Sequence, residues 1–198
     1  MPSRKIIQDI LEKGVIGRVR TMTANLSYVI SENERLIRPE LAGGALLDVG
    51  IYCLNFAFMH LGKDIEKIET SVQMTNTGVD GQETITMFYK DGTMAVLCAG
   101  IYGRSDRRGI FYGDKGYMII DNINNPKIIS VYDTNDVLID EVYAPSQYNG
   151  YEYELIECMN LISEGEIEPK SMPHRESIYC LEQMDAIREK WNMKYPME

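Results

Sequence analysis

The stretch GGALLDVGIYCLNFAFMHLG, from Gly43 to Gly62, predicts the element around which the rest of the chain is arranged. Two glycines open it, one closes it, and nearly all residues between them are apolar, which is typical of a helix buried on most sides. Its polar exceptions are Asp48, Tyr52 and Asn55, spaced by four and three residues. Since an α-helix turns by about 100° per residue, these three side chains are expected to share one narrow stripe.

An unpaired carboxylate is too costly to bury among apolar side chains, so this stripe must face a cleft or a set of polar partners. Two interpretations are open. In the first, the polar side chains are structural and hydrogen-bond to neighbouring loops. In the second, the stripe is the wall of an active site, in which Tyr52 donates a proton and Asp48 orients a group beside it.

The composition excludes several classes of partner. The 198 residues are enough for one domain with a real core, and the net charge of −10 argues against binding to nucleic acid or to an anionic membrane. The longest apolar run is interrupted by polar residues and glycine, and no signal-peptide pattern is present at the N-terminus, so no membrane segment is predicted.

The cysteines and histidines do not predict a metal site. Four cysteines lie far apart in apolar contexts, none in a C-x-x-C pair, and the only histidines are His60 and His174. We therefore expect no metal ligands, and free thiols in a reducing cytoplasm.

The flanking segments predict helices at both ends of the chain and a block of strands between them. Three turn sequences, centred on 91–92, 113–116 and 133–136, predict β-hairpins. Consecutive hairpins build an antiparallel sheet, so the predicted fold class is α+β: two layers, with helices on one face of a mostly antiparallel, mixed sheet. Helices are predicted over 2–13, 151–163 and 173–191, and strands over 17–30, 65–74, 83–89, 93–99, 108–112, 117–120, 127–132 and 137–142.

The other face of such a sheet is either solvated or covered by a second copy. We expect the second arrangement, a homodimer through the open sheet face.

No G-x-G-x-x-G or P-loop pattern is present, and the glycine pairs near 43 and 113 do not follow a strand within a βαβ unit. No cofactor-binding residues are therefore predicted, and the residues alone do not specify a reaction.

The segment PELAGGALLDVGIYCLNFAFMHLG resembles the C-terminal domain of the glucose–fructose oxidoreductase / inositol dehydrogenase (Gfo/Idh/MocA) family. Within that family it is most similar to the glucose–fructose oxidoreductase and dimeric dihydrodiol dehydrogenase branch, which carries tyrosine at the position of Tyr52. The stretches KIIQDILEKGVIGRVRTMTANL, GIFYGDKGYMIID, GYEYELIECMN and MPHRESIYCLEQMDAIREKWNMKYP resemble the same domain. The resemblance covers nearly the whole chain.

The resemblance implies a glyceraldehyde-3-phosphate-dehydrogenase-like C-terminal domain over residues 1–198, which binds substrate and forms dimers. It implies that the family's N-terminal Rossmann domain, with its nucleotide loop and catalytic lysine, lies outside these residues. The complete protein would then be an NAD- or NADP-dependent dehydrogenase or reductase acting on a sugar, polyol or cyclic diol. No cofactor is expected to be bound by these residues alone.

The resemblance also gives the polar stripe a role. Tyr52 would be the acid/base for the substrate hydroxyl, and Asp48 would hold substrate or tune the tyrosine. A tyrosine with a pKa near its ordinary value of about 10 is a poor base at neutral pH and needs a nearby positive charge. Because that charge would come from the absent lysine, the 198-residue chain is expected to be inactive by itself.

Four further residues are candidates for substrate binding. Asn55 lies on the stripe, Arg35 and Arg38 precede the central helix, and Tyr151 lies where the chain returns from sheet to helix. Two other functions stay open: a sensor or regulator of the same fold that binds sugar or nucleotide without turnover, and a stand-alone binding module. The Asp48 and Tyr52 pair favours the enzyme, because a pure binder needs no acid/base there.

Overall fold

The structure, a computed structural model, describes all residues from 1 to 198. It contains eight strands in a single sheet, together with helices near both ends and before the second strand. The helices are α1 (Pro2–Glu12), α2 (Glu34–Ile37), α3 (Ile51–Leu61), α4 (Tyr151–Glu164) and α5 (His174–Lys190). The strands are β1 (Val19–Ser27), β2 (Ile65–Met74), β3 (Asp80–Tyr89), β4 (Met94–Gly100), β5 (Gly109–Gly113), β6 (Gly116–Ile120), β7 (Ile128–Asp133) and β8 (Leu138–Tyr143).

The strands run in the order β2-β3-β4-β1-β5-β6-β7-β8. All neighbours are antiparallel except β1 and β4, which pair in parallel from Thr21 beside Met94 to Ser27 beside Gly100. The sheet is therefore mixed and mostly antiparallel, which confirms the predicted fold class. The first strand in sequence lies in the middle of the sheet, an arrangement that the hairpin signals alone did not predict.

The two faces of the sheet differ in burial because side chains alternate along each strand. On β1, Met22, Ala24 and Leu26 are buried on the face that packs against the helices. The buried core continues into α1, α3 and α5 through residues such as Leu54 and Met184. The residues of β1 on the other face, from Thr21 to Ser27 in alternation, are only half-buried.

The central segment differs in detail from the single helix predicted over Gly43 to Gly62. Its first turn, Leu46–Gly50, is a π-turn, and α3 begins only at Ile51. The angle of about 100° per residue therefore holds from Ile51 onward but not through Asp48. The connection before it is also more ordered than expected, since α2 and a 3₁₀ turn at Pro39–Leu41 lie there.

The glycine pair at the start of this segment is required by close packing. A Cβ on Gly43 would lie 2.7 Å from the carbonyl oxygens of both Arg35 and Leu36. Gly44 has a φ of +117°, and a Cβ there would lie 2.1 Å from the Asp80 carboxylate. The pair thus allows α2 to pack directly against the start of the central segment.

The central segment is also the most apolar part of the chain. By length and composition the stretch Pro39–Leu61 could cross a membrane, yet 61% of its apolar window is buried within this fold. That burial is typical of a core helix.

Candidate active site

The π-turn before α3 rests on two buried carboxyl groups of β3. The Asp80 carboxylate accepts the backbone N–H of Leu46 at 2.5 Å. The Glu83 side chain lies beneath Gly50, where a Cβ would be 2.7 Å from its Oε1. Asp80 and Glu83 thus position the turn that carries Asp48 relative to the sheet.

Both carboxyl groups lie in an apolar environment. Burial raises the pKa of Asp80, against the lowering effect of the backbone N–H groups of Leu46 and Ala45. Burial raises the pKa of Glu83 well above its ordinary value, and the charge of Asp80 raises it further. Neither oxygen of Glu83 has a hydrogen-bond partner, so the protonated form is favoured there.

The sequence prediction missed Asp80 and Glu83, although a signal for Glu83 was present. Glu83, Ile85, Met87 and Tyr89 alternate along β3, and all four are buried. A period of two places them on one face, so the three apolar residues already placed Glu83 against the core.

Above the π-turn, Asp48 forms an ion pair with the Arg35 guanidinium. The side chains are 26% and 48% exposed respectively, so the pair lies at the surface. The Asn33 side chain accepts the N–H of Arg35 at 3.1 Å and caps α2, while the close packing of Gly43 brings α2 against the central segment. The predicted candidates Asp48 and Arg35 are therefore brought together.

Tyr52 lies at the surface next to them and is 47% exposed. Partial burial raises the pKa of Tyr52, and Tyr151, Asp48 and Tyr28 raise it further. All these effects favour the neutral phenol, so at neutral pH Tyr52 can give a proton but cannot readily take one. Tyr28, just after β1, is a member of this cluster that the sequence prediction did not include.

Two predicted candidates lie elsewhere. Arg38 pairs with its sequence neighbours, Glu34 at 2.5 Å and Glu40 at 2.6 Å, rather than with Asp48. Asn55 lines a hollow of about 160 Å³ between α3 and the start of α5, which Asp48 and Tyr52 do not line. The hollow is also lined by Arg4, Phe58, Met59, Lys170, Ser171, Met172, Pro173, Arg175 and Glu176.

The glycine pair does not form a cradle for the phosphates of a dinucleotide. Gly43 faces backbone carbonyl oxygens, and Gly44 faces the Asp80 carboxylate, so the atoms presented there are acceptors that would repel phosphate. This glycine pair therefore offers no phosphate site of that kind. No group of three or more His, Cys, Asp or Glu side chains is arranged to bind a metal ion.

Residues 5–119 match the GFO/IDH/MocA C-terminal domain, more than half of the chain. The chain belongs to this family. Its curated relatives include the scyllo-inositol 2-dehydrogenase (NADP(+)) of Bacillus subtilis, 26% identical over 206 residues, and the trans-1,2-dihydrobenzene-1,2-diol dehydrogenase of Danio rerio, 24% identical over 203 residues. Each match covers 100% of the chain and 61% of the relative, so this Gfo/Idh/MocA chain spans about three fifths of their length.

Solved structures share the fold of this Gfo/Idh/MocA domain. A 3-ketoreductase from Actinomadura kijaniata, in complex with NADP and a TDP compound, superposes with a TM-score of 0.86 at 20% identity. The match covers 96% of the chain and 59% of that structure. The aldose-aldose oxidoreductase from Caulobacter crescentus, complexed with glycerol, gives a TM-score of 0.81 at 20% identity, with coverage of 96% and 58%.

Proposed function

We propose that these residues form the substrate-binding and dimerisation domain of an NAD(P)-dependent oxidoreductase that acts on a hydroxyl of a sugar, polyol or cyclic diol. The observation that carries the proposal is Tyr52, a half-exposed phenol beside the Asp48–Arg35 ion pair on a largely buried helix. The names of the relatives support the substrate class, since they are dehydrogenases of an inositol and of a dihydrodiol.

In this proposal Tyr52 exchanges a proton with the reacting oxygen of the substrate. Because its neighbours favour the neutral phenol, Tyr52 carries the proton that the substrate oxygen needs when a carbonyl is reduced, although its raised pKa also makes it a weaker acid. In the oxidative direction it must first be ionised, which requires a positive charge that the rest of the enzyme supplies. We also propose that the dinucleotide is held outside these residues, since the glycine pair at 43 and 44 offers no cradle for its phosphates.

The other members of the cluster bind and orient the substrate. Arg35 engages Oδ1 of Asp48, so Oδ2 is left to accept a hydrogen bond from a second substrate hydroxyl. The exposed ring of Tyr151 offers an apolar surface to a sugar or diol ring at the edge of the site. Arg38 and Asn55 stay predicted substrate-binding residues, Asn55 from the side of its own hollow.

The decisive experiment replaces Tyr52 by Phe in the complete enzyme. Because the side chain is half-exposed, the loss of the hydroxyl leaves the fold intact, and kcat is expected to fall by about 10²–10⁴ with KM little changed. The matched control is Tyr151→Phe, for which we expect at most a small change in kcat. An unchanged kcat for Tyr52→Phe would assign Tyr52 to packing alone. Turnover by the 198-residue chain with NAD(P) and a sugar or diol would also contradict the proposal.

We further propose that the domain is a cytoplasmic homodimer that associates through the open sheet face. The support is an aromatic and aliphatic patch across β5, β6 and β7. The rings of Tyr117 and Tyr132 stack with centroids 4.9 Å apart, Tyr112 lies next in the row, and Ile110 and Ile119 are half-buried beside them. Sedimentation equilibrium should give a dimer, and Ile119→Glu should give a monomer. A native chain that stays monomeric at high concentration would remove this proposal.

A further inference from the structure

Residues 193–198, here named the return segment, follow α5 and fold back onto the start of the central segment. Met193 and Tyr195 are each 4% exposed and belong to a small buried cluster that is separate from the main core. Ala42 and Leu47, on either side of the glycine pair, pack against this cluster. The return segment therefore contacts the part of the chain that leads into the π-turn.

A buried hydrogen bond joins the return segment to the glycine pair. The hydroxyl of Tyr195 donates to the carbonyl oxygen of Gly43 at 2.6 Å. Burial raises the pKa of Tyr195, so the hydroxyl stays protonated and can donate at neutral pH. Gly43 is also the residue against which α2 packs, since a Cβ there would lie 2.7 Å from the carbonyl oxygens of Arg35 and Leu36. This hydrogen bond therefore holds the point at which α2 meets the chain that leads into Asp48.

Arg188 on α5 holds the return segment in this position. Its guanidinium, on a side chain that is only 7% exposed, donates to both carboxylate oxygens of Glu198, at 2.7 and 3.0 Å. It also lies over the ring of Tyr195, 4.6 Å from the ring centroid. Asp185 accepts another hydrogen bond from the same guanidinium at 2.7 Å, but it belongs to α5. Because a guanidinium that donates to both oxygens of a carboxylate has a defined geometry, Arg188 fixes Glu198 and, through the ring contact, Tyr195.

We propose that Tyr195 is a positioning residue for the reaction of the proposed function. Through its hydrogen bond to Gly43 it keeps the Asp48–Arg35 ion pair in the geometry that orients substrate. This inference rests on the proposed function. Because Tyr195 is buried, it acts through the backbone and does not meet the substrate. The proton transfer assigned to Tyr52 depends on it less, because Tyr52 lies on α3, beyond the π-turn.

The test is Tyr195→Phe in the complete enzyme, which removes the donor and keeps the ring. We expect KM to rise about tenfold and kcat to change less than about twofold, since the ion pair orients substrate whereas Tyr52 carries the proton. The matched control is Tyr89→Phe, because Tyr89 is also 4% exposed and its hydroxyl donates to the Met87 sulfur at 3.8 Å, away from Gly43. This control should leave KM unchanged.

Both variants are assayed well below their melting temperatures, so that a loss of stability alone changes neither KM nor kcat. An unchanged KM for Tyr195→Phe would overturn the proposal. An equal rise of KM for Tyr89→Phe would overturn it as well, because the effect would then follow from any lost buried hydroxyl.

A second pair of variants separates the return segment from α5. Glu198→Gln and Asp185→Asn each remove the charge of one partner of Arg188, but only Glu198 belongs to the return segment. Glu198→Gln should raise KM about two- to fivefold, because the weakened pair holds Tyr195 less firmly. Asp185→Asn should leave KM unchanged. Equal effects of the two substitutions would show that Arg188 stabilises α5 alone and would contradict the proposal.

Hydrogen exchange of backbone amides tests the positioning without reference to catalysis. In Tyr195→Phe the amides of residues 43–50 should exchange about tenfold faster, whereas those of residues 83–89 in β3 keep their native protection. Faster exchange in both regions, or in neither, would overturn the proposal. Faster exchange at 43–50 alone, in a complete protein without dehydrogenase activity, would refute the proposed function alone. Dehydrogenase activity with unchanged exchange and unchanged KM would refute the role of Tyr195 alone.

Discussion

Helices α3 and α4 both have apolar residues at helical spacing, but α3 is buried in the core, whereas α4, which also carries four glutamates, is exposed. Both carry several large apolar residues between glycines, and both were predicted as helices from that pattern. In α3, residues such as Leu54, Phe56 and Ala57 are buried, whereas α4 buries none. The comparison shows that an apolar pattern predicts a helix and its need for cover, but not whether the cover lies within the same set of residues.

The sharpest test of this comparison truncates one leucine in each helix. Leu54 is completely buried and Leu155 is 64% exposed. Leu54→Ala should lower the free energy of unfolding by about 3–5 kcal/mol, because it removes packed methyl groups and leaves a cavity. Leu155→Ala should change it by less than about 0.5 kcal/mol in the 198-residue chain. Chemical denaturation measures both, and comparable losses would show that α4 packs against the domain in solution.

A second test concerns the fit of the α3 segment to the strand beneath it. In an ordinary helix Gly→Ala stabilises by about 1 kcal/mol. At Gly50 the added Cβ would lie 2.7 Å from Oε1 of Glu83, so Gly50→Ala should instead lower the free energy of unfolding by about 1–3 kcal/mol.

The control for this substitution is Gly103, around which a Cβ would meet no atom within 4 Å. Gly103→Ala should be neutral within about 0.5 kcal/mol in the same denaturation experiment. The cost at Gly50 should also diminish in a Glu83→Ala background, where the contact is absent. If Gly50→Ala lowers the free energy of unfolding equally in the Glu83→Ala background, the loss arises from the backbone of the π-turn and not from contact with Glu83.

A third test concerns the charge of Glu83. Because burial raises the pKa of Glu83 in the folded state, the folded protein binds more protons than the unfolded chain above a pH of about 4.5. The stability that the protonated Glu83 contributes is therefore fully present below that pH, and it is lost as the pH rises through the pKa of Glu83 in the folded state. In Glu83→Gln this loss should be absent, so the difference in stability between variant and native protein should increase from pH 5 to pH 9. Urea denaturation across this range measures it.

Other titratable groups near Glu83 also contribute to the pH dependence of stability. Asp80 titrates nearby with a raised pKa of its own, and the Cys53 thiol faces Glu83 with a pKa that burial raises further. Asp80 is present in both proteins, so its contribution to the pH dependence cancels in the comparison, except for the part that arises from its interaction with Glu83. A difference that does not change with pH would show that Glu83 is paired or hydrated in the folded protein.

Much of the fold was predictable because it depends on local signals. The hairpin turns and the two terminal helices were predicted within a few residues, since alternation, Asp-Gly turns and helix-terminal residues act over short distances. The position of β1 was not predictable in this way, because its neighbours are set by contacts between distant segments. The π-turn was also missed, since a single extra residue in a helical turn leaves no mark on the apolar pattern.

The candidate site was predictable in part for the same reason. Asp48 and Tyr52 were found because polar residues are rare in an apolar helix, and Arg35 was found by its closeness in sequence. Arg38 is also an arginine close in sequence to the central segment, but it forms ion pairs with Glu34 and Glu40. Its distance along the chain could not reveal this pairing. The carboxyl groups beneath the turn come from β3, more than thirty residues away, and required the folded structure.

The position of β1 at the centre of the sheet governs how the chain can fold during synthesis. Thr23 is paired with Val96 on one side and Ile110 on the other, so the sheet cannot close around it until most of the domain has left the ribosome. Such distant pairings make folding slow, because the loop must be closed before its contacts form. Until then the apolar helix α3 is only partly covered, and exposed apolar surface of this kind makes a nascent domain prone to aggregation.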